Sequence, residues 1–337
     1  MSTTIILPLP PSDLKQGGAH AKADIATQER LVQWLDATVN SIRAACVEPV
    51  RVDLPDRTAR DSESLSEELT AIFLHKSFNH QSRGRLSAVL PGFRHGLQSQ
   101  IDAMRPLTLY FLYNGGYRAS PFPQDPTPIF YPDQTELMLL RQISLLQARI
   151  KQKYAPGIDF VIVLNNGVAA YVNDISLEET SRYAKELRNI IESLGASRFI
   201  RVLLQSEVAD FSSSQSKPGY RTLPKISQKE HSIVERFLGR PCSEQEASYR
   251  AWLYQIAETE WAKDLVPLVT RDHALLLRQV ASSGMLSFRA FPGGAIRAQN
   301  GSLGFQEVDQ TWVPKLISAE TYSHYKIQTI NWSLPLA

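Results

Sequence analysis

Several residue types and patterns are scarce or missing in this chain of 337 residues. Only two cysteines occur, Cys46 and Cys242, and they form no Cys-x-x-Cys pair. A disulfide framework is therefore not indicated, and a reducing cytoplasm is the expected location. No stretch approaches ~20 consecutive apolar residues, so no membrane-spanning helix is predicted. Residues 1–11 lack a basic region and are interrupted by prolines, which argues against a signal peptide.

Charge of one sign is not in excess either. The chain has 36 basic and 34 acidic residues, a formal net charge of +2, whereas a nucleic-acid-binding protein usually has a clear basic surplus. No Gly-x-Gly-x-x-Gly follows an apolar run and no Walker loop is present, so dinucleotide and ATP binding are not expected. The expected partner is a small-molecule substrate, with neither nucleic acid nor membrane.

What is present is the composition of an ordinary globular protein, with 43% hydrophobic and 21% charged residues. Shifts in composition divide the chain into consecutive segments that we expect to build one main domain. They are a flexible leader (1–24), an N-terminal helical segment (25–104), a central α/β unit (105–207), a long polar loop (208–227), and a helical segment with C-terminal strands that complete the same domain (228–337).

The N-terminal segment has helical periodicity. Apolar residues from Leu31 to Ile42 share one helix face. A second helix is predicted from Ser64 to Ser77, because Ser64 and Glu67 have capping-box spacing. A third is predicted from Arg85 to Met104 with a break at Pro91-Gly92.

The central segment alternates strands with helices. Leu107–Tyr113, Ile158–Leu164 and Phe199–Leu204 are short apolar runs typical of buried strands. One helix is predicted from the cap Asp133 to Ile150, and another from the capping box Ser176/Glu179 to Gly195. This order predicts an α/β fold with a doubly wound, mostly parallel, Rossmann-like sheet and added N- and C-terminal helices.

The loop after the first central strand has the residues of an anion-binding site. Gly115 and Gly116 allow close backbone approach, and Tyr117, Arg118 and Ser120 add a guanidinium and two hydroxyls. In a doubly wound sheet, ligands bind beyond the carboxyl ends of the strands. We therefore expect this loop to bind a carboxylate or phosphate, although a tight turn with a surface arginine explains the same residues.

The second central strand ends in Asn165-Asn166-Gly167, which is typical of a hairpin turn. Alternation of Val168, Ala170 and Val172 after it fits that interpretation. The functional alternative is a polar strand end that binds substrate through Asn165 and Asn166. In that case Asp174 returns beside it as an acid, a base or an orienting group.

His75-Lys76 to His80, with Arg83 and Arg85 behind them, form the densest cationic segment. Histidines five apart do not share a helix face, so zinc is not indicated here. Phosphate binding and a solvated helix end both remain open. His273 and Arg278 are assigned to an amphipathic helix, and Cys242 has no nearby histidine in the sequence that would support a nucleophile.

Several motifs together resemble the pyoverdine/dityrosine biosynthesis family, which includes the isocyanide synthases. They are Pro132-Asp133 before a leucine-rich helix, Tyr154-Ala155-Pro156-Gly157 entering a strand, Asn166-Gly167 with Tyr171 and Asp174 after it, Phe291-Pro292, Ile296-Arg297, Gly304-Phe305 and Thr311-Trp312. The family usually has Ser-Asp-Gly where this chain has Asn165-Asn166-Gly167.

The resemblance implies an enzyme of specialised metabolism that modifies the amino group of an amino acid, with ribulose 5-phosphate as carbon donor. It implies no metal or redox cofactor. Arg118 and Arg297 are the candidates for binding the anions, with His75, Lys76 and Arg85 as an additional cationic wall. Asp174 and His75 are the candidate catalytic residues, Asp174 for proton transfer, and Asn166 stands where the family has an aspartate.

Three hypotheses remain at this point. The chain is an isocyanide-synthase-like enzyme, a related transferase or lyase with a different substrate, or a non-catalytic small-molecule-binding partner of a biosynthetic enzyme. Downstream biosynthetic enzymes are possible partners under the first. The hypotheses differ in whether the loops 114–120 and 165–174 face a common polar cavity.

Overall fold

A computed structural model gives the architecture of the chain and describes residues 5–8, 25–47, 59–79, 83–113, 132, 134–173, 175–208, 223, 225–238, 241–278, 285–290, 303–308, 311–316 and 327–330. The helices in these ranges are α1 (Ile25–Cys46), α2 (Ala59–Leu74), α3 (Arg83–Asp102), α4 (Gln134–Lys151), α5 (Asn166–Asn173), α6 (Leu177–Ser193), α7 (Gln205–Val208), α8 (Gln228–Leu238), α9 (Glu244–Asp264) and α10 (Val266–Arg271). The strands are β1 (Ile5–Pro8), β2 (Leu107–Tyr113), β3 (Ile158–Leu164), β4 (Ile200–Leu204), β5 (Leu275–Arg278), β6 (Leu286–Ser287), β7 (Leu303–Val308), β8 (Thr311–Leu316) and β9 (Ile327–Ile330).

Five parallel strands form the central sheet, in the order β4-β3-β2-β5-β6. β2 and β3 pair along their full length, from Leu107 opposite Ile158 to Tyr113 opposite Leu164. Both strands are buried on both faces, which explains why their sequences are continuous apolar runs without alternation. The predicted doubly wound α/β fold with a parallel sheet is confirmed.

The first face of the sheet carries the larger core. Side chains of β2, β3, β4 and β5 that point to this face pack against α1, α2, α3, α4 and α6 in one continuous apolar cluster. At its centre Phe111, Phe160 and Phe288 meet with ring centroids 5.2–5.7 Å apart. Tyr183 and Leu187 of α6 are fully buried there.

The second face carries a smaller core. Tyr110, Val161 and Val163 pack there against Val168 and Val172 of α5, together with apolar residues of α9 and α10. Helices therefore cover both faces, as expected of a doubly wound sheet. None of the helices in the described ranges is long and apolar enough to cross a membrane.

The connection between α4 and β3 requires glycine. Gly157 has a φ of +71°, and a Cβ there would lie 2.6 Å from Gln147 Oε1. That oxygen accepts a hydrogen bond from the backbone N–H of Ile158 at 2.8 Å and so anchors the start of β3. A side chain at 157 would break this contact, because L-residues avoid positive φ and no space is open.

Local signals in the central unit are borne out closely. Ser176 and Glu179 form the predicted capping box of α6, and Gly195 follows the helix in the left-handed conformation. β2 and β3 have the predicted bounds, and β4 begins one residue later than expected, at Ile200. The predicted C-terminal strands include the antiparallel pair β7–β8.

Two predictions about the N-terminal helices were wrong. α2 begins at Ala59, so Ser64 and Glu67 lie inside the helix and form no cap. α3 continues through Pro91 without a break. The apolar face formed by Val89, Phe93 and neighbouring residues is buried in the first core, and this packing outweighs the lost backbone hydrogen bond at an exposed proline.

Two predictions about later segments were also wrong. No hairpin follows Asn165; α5 begins at Asn166, because Val168 and Val172 lie four residues apart on one buried helical face. His273 and Arg278 do not lie in a helix. His273 has a φ of 49° in the turn before β5, and Arg278 ends that strand. The division of the chain into segments stays a prediction.

Candidate functional site

The order of the strands creates a crevice at one edge of the sheet. From β2 the chain continues to β3 and β4 on one side, and then returns to β5 and β6 on the other. The carboxyl ends of β2 and β5 are therefore neighbours, and the next strand of the sheet after each lies on the opposite side. Ligands bind at such a point in open α/β sheets. We call this edge, from Leu204 through Asn165 and Tyr113 to Arg278, the carboxyl edge.

A group of amide and hydroxyl side chains links the ends of β3 and β4 at this edge. Asn166 Nδ2 donates to Ser206 Oγ at 2.8 Å, and Asn166 Oδ1 accepts from the backbone N–H of Ser206 at 3.1 Å. Gln205 Oε1 accepts from the N–H of Val168 at 3.2 Å, so it caps α5 from a different part of the chain. Asn165, Asn166 and Gln205 are all buried.

Gln205 also presents a buried donor. Its side chain is fully buried, and its Nε2 makes no hydrogen bond within the part of the chain that the structure describes. A buried amide N–H without a hydrogen-bond acceptor lowers the stability of the folded state. It lies at the carboxyl edge, beside the residues that follow β3.

The end of β2 is held by a buried polar pair. Tyr113, the last residue of the strand, donates its hydroxyl to Glu136 Oε1 at 2.8 Å, and both side chains are buried on the first face. Glu136 lies in the first turn of α4, where a carboxylate also interacts favourably with the helix dipole. The pair fixes the position from which the loop carrying Arg118 leaves the sheet.

The end of β5 places an arginine next to the crevice. Arg278 is opposite Leu112 of β2 in register, and side-chain alternation points it to the second face, since Leu277 points to the first. Its backbone oxygen accepts from the N–H of Phe288. Sequence reasoning assigned Arg278 to a helix and so missed its position; the run Leu275-Leu276-Leu277 was the available signal for a strand.

The predicted cationic segment after α2 lies beside β6. Asn79 is buried and its carbonyl accepts from Arg289 Nη2 at 3.4 Å, while its side chain accepts from Ser287 Oγ at 3.3 Å. His75 and Lys76 are exposed, and His75 Nδ1 accepts from the N–H of Ser77 at 3.2 Å. The segment therefore lies at the edge strand of the sheet with its two predicted site residues facing solvent.

The side chains of the remaining predicted site residues lie outside the part of the chain that the structure describes. Arg85 belongs to the first turn of α3, where the backbone alone is described. Outside the described residues lie Tyr117, Arg118, Ser120, Asp174 and Arg297. By chain connectivity, the first three follow β2 within seven residues and Asp174 follows α5 directly.

A cavity of about 390 Å³ lies on the second face, between the C-terminal end of α5 and the N-terminal half of α9. Arg250 crosses it, donating to the backbone oxygen of Val172 at 2.7 Å and pairing with Glu246 at 3.3 Å. Burial, and to a smaller degree the neighbouring Tyr249, raise the pKa of Tyr171 beside it. Sequence reasoning missed this cavity, because its walls are distant in sequence.

A second polar group lies on the same face at the opposite, amino edge of the sheet. Tyr110 donates to Asp272 Oδ2 at 2.8 Å, and burial together with this carboxylate raises the pKa of Tyr110 to about 12. Arg271 lowers the pKa of Asp272. Arg201 of β4 pairs with Asp159 of β3 nearby. This group is distant from the crevice and provides a reference for tests of the carboxyl edge.

Comparison with known proteins agrees with this architecture. The family of pyoverdine/dityrosine biosynthesis proteins matches residues 129–260. The crystal structure of the PvcA protein from Pseudomonas aeruginosa shares the fold, with a TM-score of 0.57 at 16% identity over 75% of this chain and 92% of that chain. No curated protein sequence matches the chain at a significant level. The chain is therefore similar to the pyoverdine/dityrosine biosynthesis proteins, by sequence over residues 129–260 and by fold over most of its length, and the resemblance predicted from its motifs is confirmed.

Proposed function

We propose that the chain is an isocyanide-synthase-like enzyme of specialised metabolism that modifies the amino group of an amino acid, with ribulose 5-phosphate as carbon donor. The observation that carries this proposal is the crevice between β2 and β5. The loop with Arg118 leaves the sheet at this point, and Arg278 ends the neighbouring strand. The family match over residues 129–260 supports the same class of chemistry.

The two proposed substrates together present a carboxylate and a phosphate. Guanidinium groups bind both anions through two parallel hydrogen bonds, and their strength increases where water is excluded. Arg278 at the end of β5 and Arg118 in the loop after β2 suit these roles, with Arg297 as a further candidate. Tyr117, Ser120 and Asn165 are proposed to bind the polar groups of the substrates, and Lys76 and Arg85 to add positive charge at the entrance.

The proposed reaction needs proton transfer as well as anion binding. The amine adds to the ketone carbon of the sugar with loss of water. Both carbon–carbon bonds of that carbon then break, so that it stays on nitrogen while the other four carbons and the phosphate of the sugar leave. Each step moves a proton to or from carbon, nitrogen or oxygen, which requires side chains that can accept and release protons. We propose Asp174, which directly follows α5, and His75 for this role.

The test is a product assay with the purified full-length chain. The common amino acids are incubated with and without ribulose 5-phosphate and analysed by mass spectrometry. The expected product has gained one carbon and lost two hydrogens relative to the amino acid, and forms only when the sugar phosphate is present. Absence of any consumption of either substrate, with the chain shown to be folded, contradicts the proposal.

Matched arginine variants locate the reaction. Arg118→Ala and Arg278→Ala are each expected to lower kcat/KM by about 10- to 100-fold, since a hydrogen bond to a charged group contributes ~1.5–3 kcal/mol. Arg201→Ala is the control, because it removes an arginine of the same sheet at the amino edge. Equal losses in all three variants would show a general effect on folding instead of anion binding.

A second candidate function is favoured by one observation. Asn166 stands where the family has an aspartate, and both ends of its amide are already used in hydrogen bonds to Ser206. An amide cannot act as a base, so a related transferase or lyase that uses another base and another substrate fits this residue better. Two variants distinguish the candidates in the same product assay. Formation of the isocyanide product only by Asn166→Asp favours the second candidate, because the natural chain then lacks the required base. Formation of this product by the natural chain, with loss in Asp174→Asn, favours the first proposal.

A further inference from the structure

We propose that the junction between α8 and α9 binds one divalent transition-metal ion, such as zinc, through His231, Glu235 and Cys242. One ligand atom from each of these residues lies within 4.8 Å of the other two. The three side chains supply nitrogen, oxygen and sulfur. This site is separate from the carboxyl edge and does not depend on the function proposed for that edge.

The local sequence explains why these side chains meet. His231 and Glu235 are four residues apart on α8, so they lie on the same helix face. α8 ends at Leu238 and α9 begins at Glu244, so the chain must reverse within a few residues. Pro241, with its restricted φ, precedes Cys242 in this short connection.

Both α8 side chains hold the backbone of Cys242 in place. Glu235 Oε1 accepts from the N–H of Cys242 at 3.2 Å, and His231 Nε2 is 2.9 Å from its carbonyl oxygen. His231 Nε2 and Glu235 Oε1 are 3.5 Å apart. These backbone contacts place the residue that carries the thiol beside an imidazole and a carboxylate.

The donor set indicates the class of metal. Thiolate and imidazole ligands suit zinc or cobalt, whereas magnesium and calcium prefer oxygen alone. Tetrahedral coordination with bonds of ~2.0–2.3 Å places ligand atoms roughly 3.3–3.8 Å apart. Side-chain rotations that move the ligand atoms by about 1 Å would bring them from their present separations to these distances. Three protein ligands leave a fourth position for water, and all three residues are half-buried, which leaves an entry path.

Metal binding here would also act on the neighbouring cavity. Ser243, the residue after Cys242, caps α9 through a hydrogen bond from the N–H of Glu246 to its hydroxyl at 3.1 Å, and both residues line the 390 Å³ cavity. A metal ion that joins Cys242 to α8 would fix the start of α9 and with it this cavity wall. The ion would therefore also stabilise the wall of the cavity that Ser243 and Glu246 line.

The experiment is a titration of the reduced, untagged full-length chain with cobalt(II), followed by displacement with zinc. One cobalt ion per chain is expected, with a thiolate-to-cobalt charge-transfer band in the near-ultraviolet that zinc abolishes. The chain has only two cysteines, so Cys46→Ser is a matched control that should keep the band. Cys242→Ser should remove the band and weaken zinc binding by at least about 100-fold, more than loss of an outer-shell contact.

A histidine pair provides an independent control. His231→Gln should weaken zinc binding as strongly as Cys242→Ser, while His95→Gln, on the exposed side of α3, should leave it unchanged. Circular dichroism of each variant without metal checks the fold. The natural chain alone already tests the proposal: absence of a thiolate-to-cobalt band contradicts it, and so does a band that persists in Cys242→Ser.

Discussion

The two faces of the central sheet differ in what they bury. On the first face, helices and the inward side chains of all five strands of the sheet form one continuous apolar core, with Tyr113–Glu136 as a buried polar pair at the carboxyl edge. On the second face the core is smaller, and it borders a cavity of about 390 Å³, the Glu246–Arg250 pair and the Tyr110–Asp272 pair. The first face therefore buries the larger apolar core, and the second face leaves a cavity and charged pairs beside a smaller one.

The largest expected effect is at the centre of the first face. Phe160→Ala should lower the free energy of unfolding by about 3–5 kcal/mol, because it removes a fully buried ring and leaves a cavity among Phe111 and Phe288. Leu276→Ala, at a half-buried position on the second face, should cost only about 1–2 kcal/mol. Urea unfolding measures both values. Equal losses of unfolding free energy in the two variants would show that the two faces do not differ in their contribution to stability.

A smaller effect is expected from the polar pair of the first face. Tyr113→Phe removes the hydrogen bond to Glu136 and leaves that carboxyl buried with one partner fewer, at a cost of about 1–3 kcal/mol. The same urea experiment gives the value. Tyr249→Phe, beside the cavity, is the control and should change stability by less than about 1 kcal/mol. A cost at Tyr113 that does not exceed that control would show that the pair contributes little.

On the second face, an effect of pH is expected from Tyr110. Its folded-state pKa of about 12 lies above the unfolded value of about 10. The folded protein therefore holds this proton more tightly. The contribution of Tyr110 to stability is constant below pH ~10 and is lost as the pH rises from there towards 12. Spectrophotometric titration of the natural chain minus that of Tyr110→Phe isolates this phenol among twelve tyrosines.

Asp272→Asn sharpens that measurement. Burial is the largest cause of the raised pKa and the Asp272 carboxylate comes second, so the variant should lower the pKa of Tyr110 only part of the way to its usual value. A complete return to the usual value would mean that the carboxylate dominates and that this face is more open to water than its packing indicates.

The smallest expected effect is at the surface behind the first face. Lys153 and Glu68 pair at 3.0 Å, with both side chains about half exposed. Lys153→Ala should change the free energy of unfolding by no more than about 0.5 kcal/mol, since exposed pairs are screened by water and salt. A cost above about 1 kcal/mol at physiological salt would show that the first face depends on charge as well as on apolar packing.

Patterns within a few residues predicted most of the first face. β2 and β3 were found at their true bounds because strands buried on both sides are continuous apolar runs, and α6 because Ser176 and Glu179 complete its cap locally. The second face depends on contacts between distant segments. α5 is capped by Gln205, 37 residues from Val168, and the cavity depends on Arg250, 78 residues from Val172. No local pattern contains these partners.

The candidate site divides in the same way. Its strand ends were predictable, because polar residues follow apolar strands directly, while the prediction for the loop with Arg118 concerns residues outside the described ranges. Arg278 was placed in a helix because the run Leu275–Arg278 is only four residues long, too short to distinguish a strand from a helix by periodicity. The cluster at Cys242 was also missed, since its histidine lies eleven residues earlier and reaches the cysteine only when α8 is formed.

The small sheet formed by β1 and β9 has a consequence for how the chain folds during its synthesis. Ile5–Pro8 pair antiparallel with Ile327–Ile330, so the earliest and the latest described segments are neighbours in space. A lone strand is not stable in water, and a pairing across such a separation closes a very long loop. β1 can therefore pair only after Ile327–Ile330 have left the ribosome, and we expect this two-stranded sheet to form later than the pairing of β2 with β3.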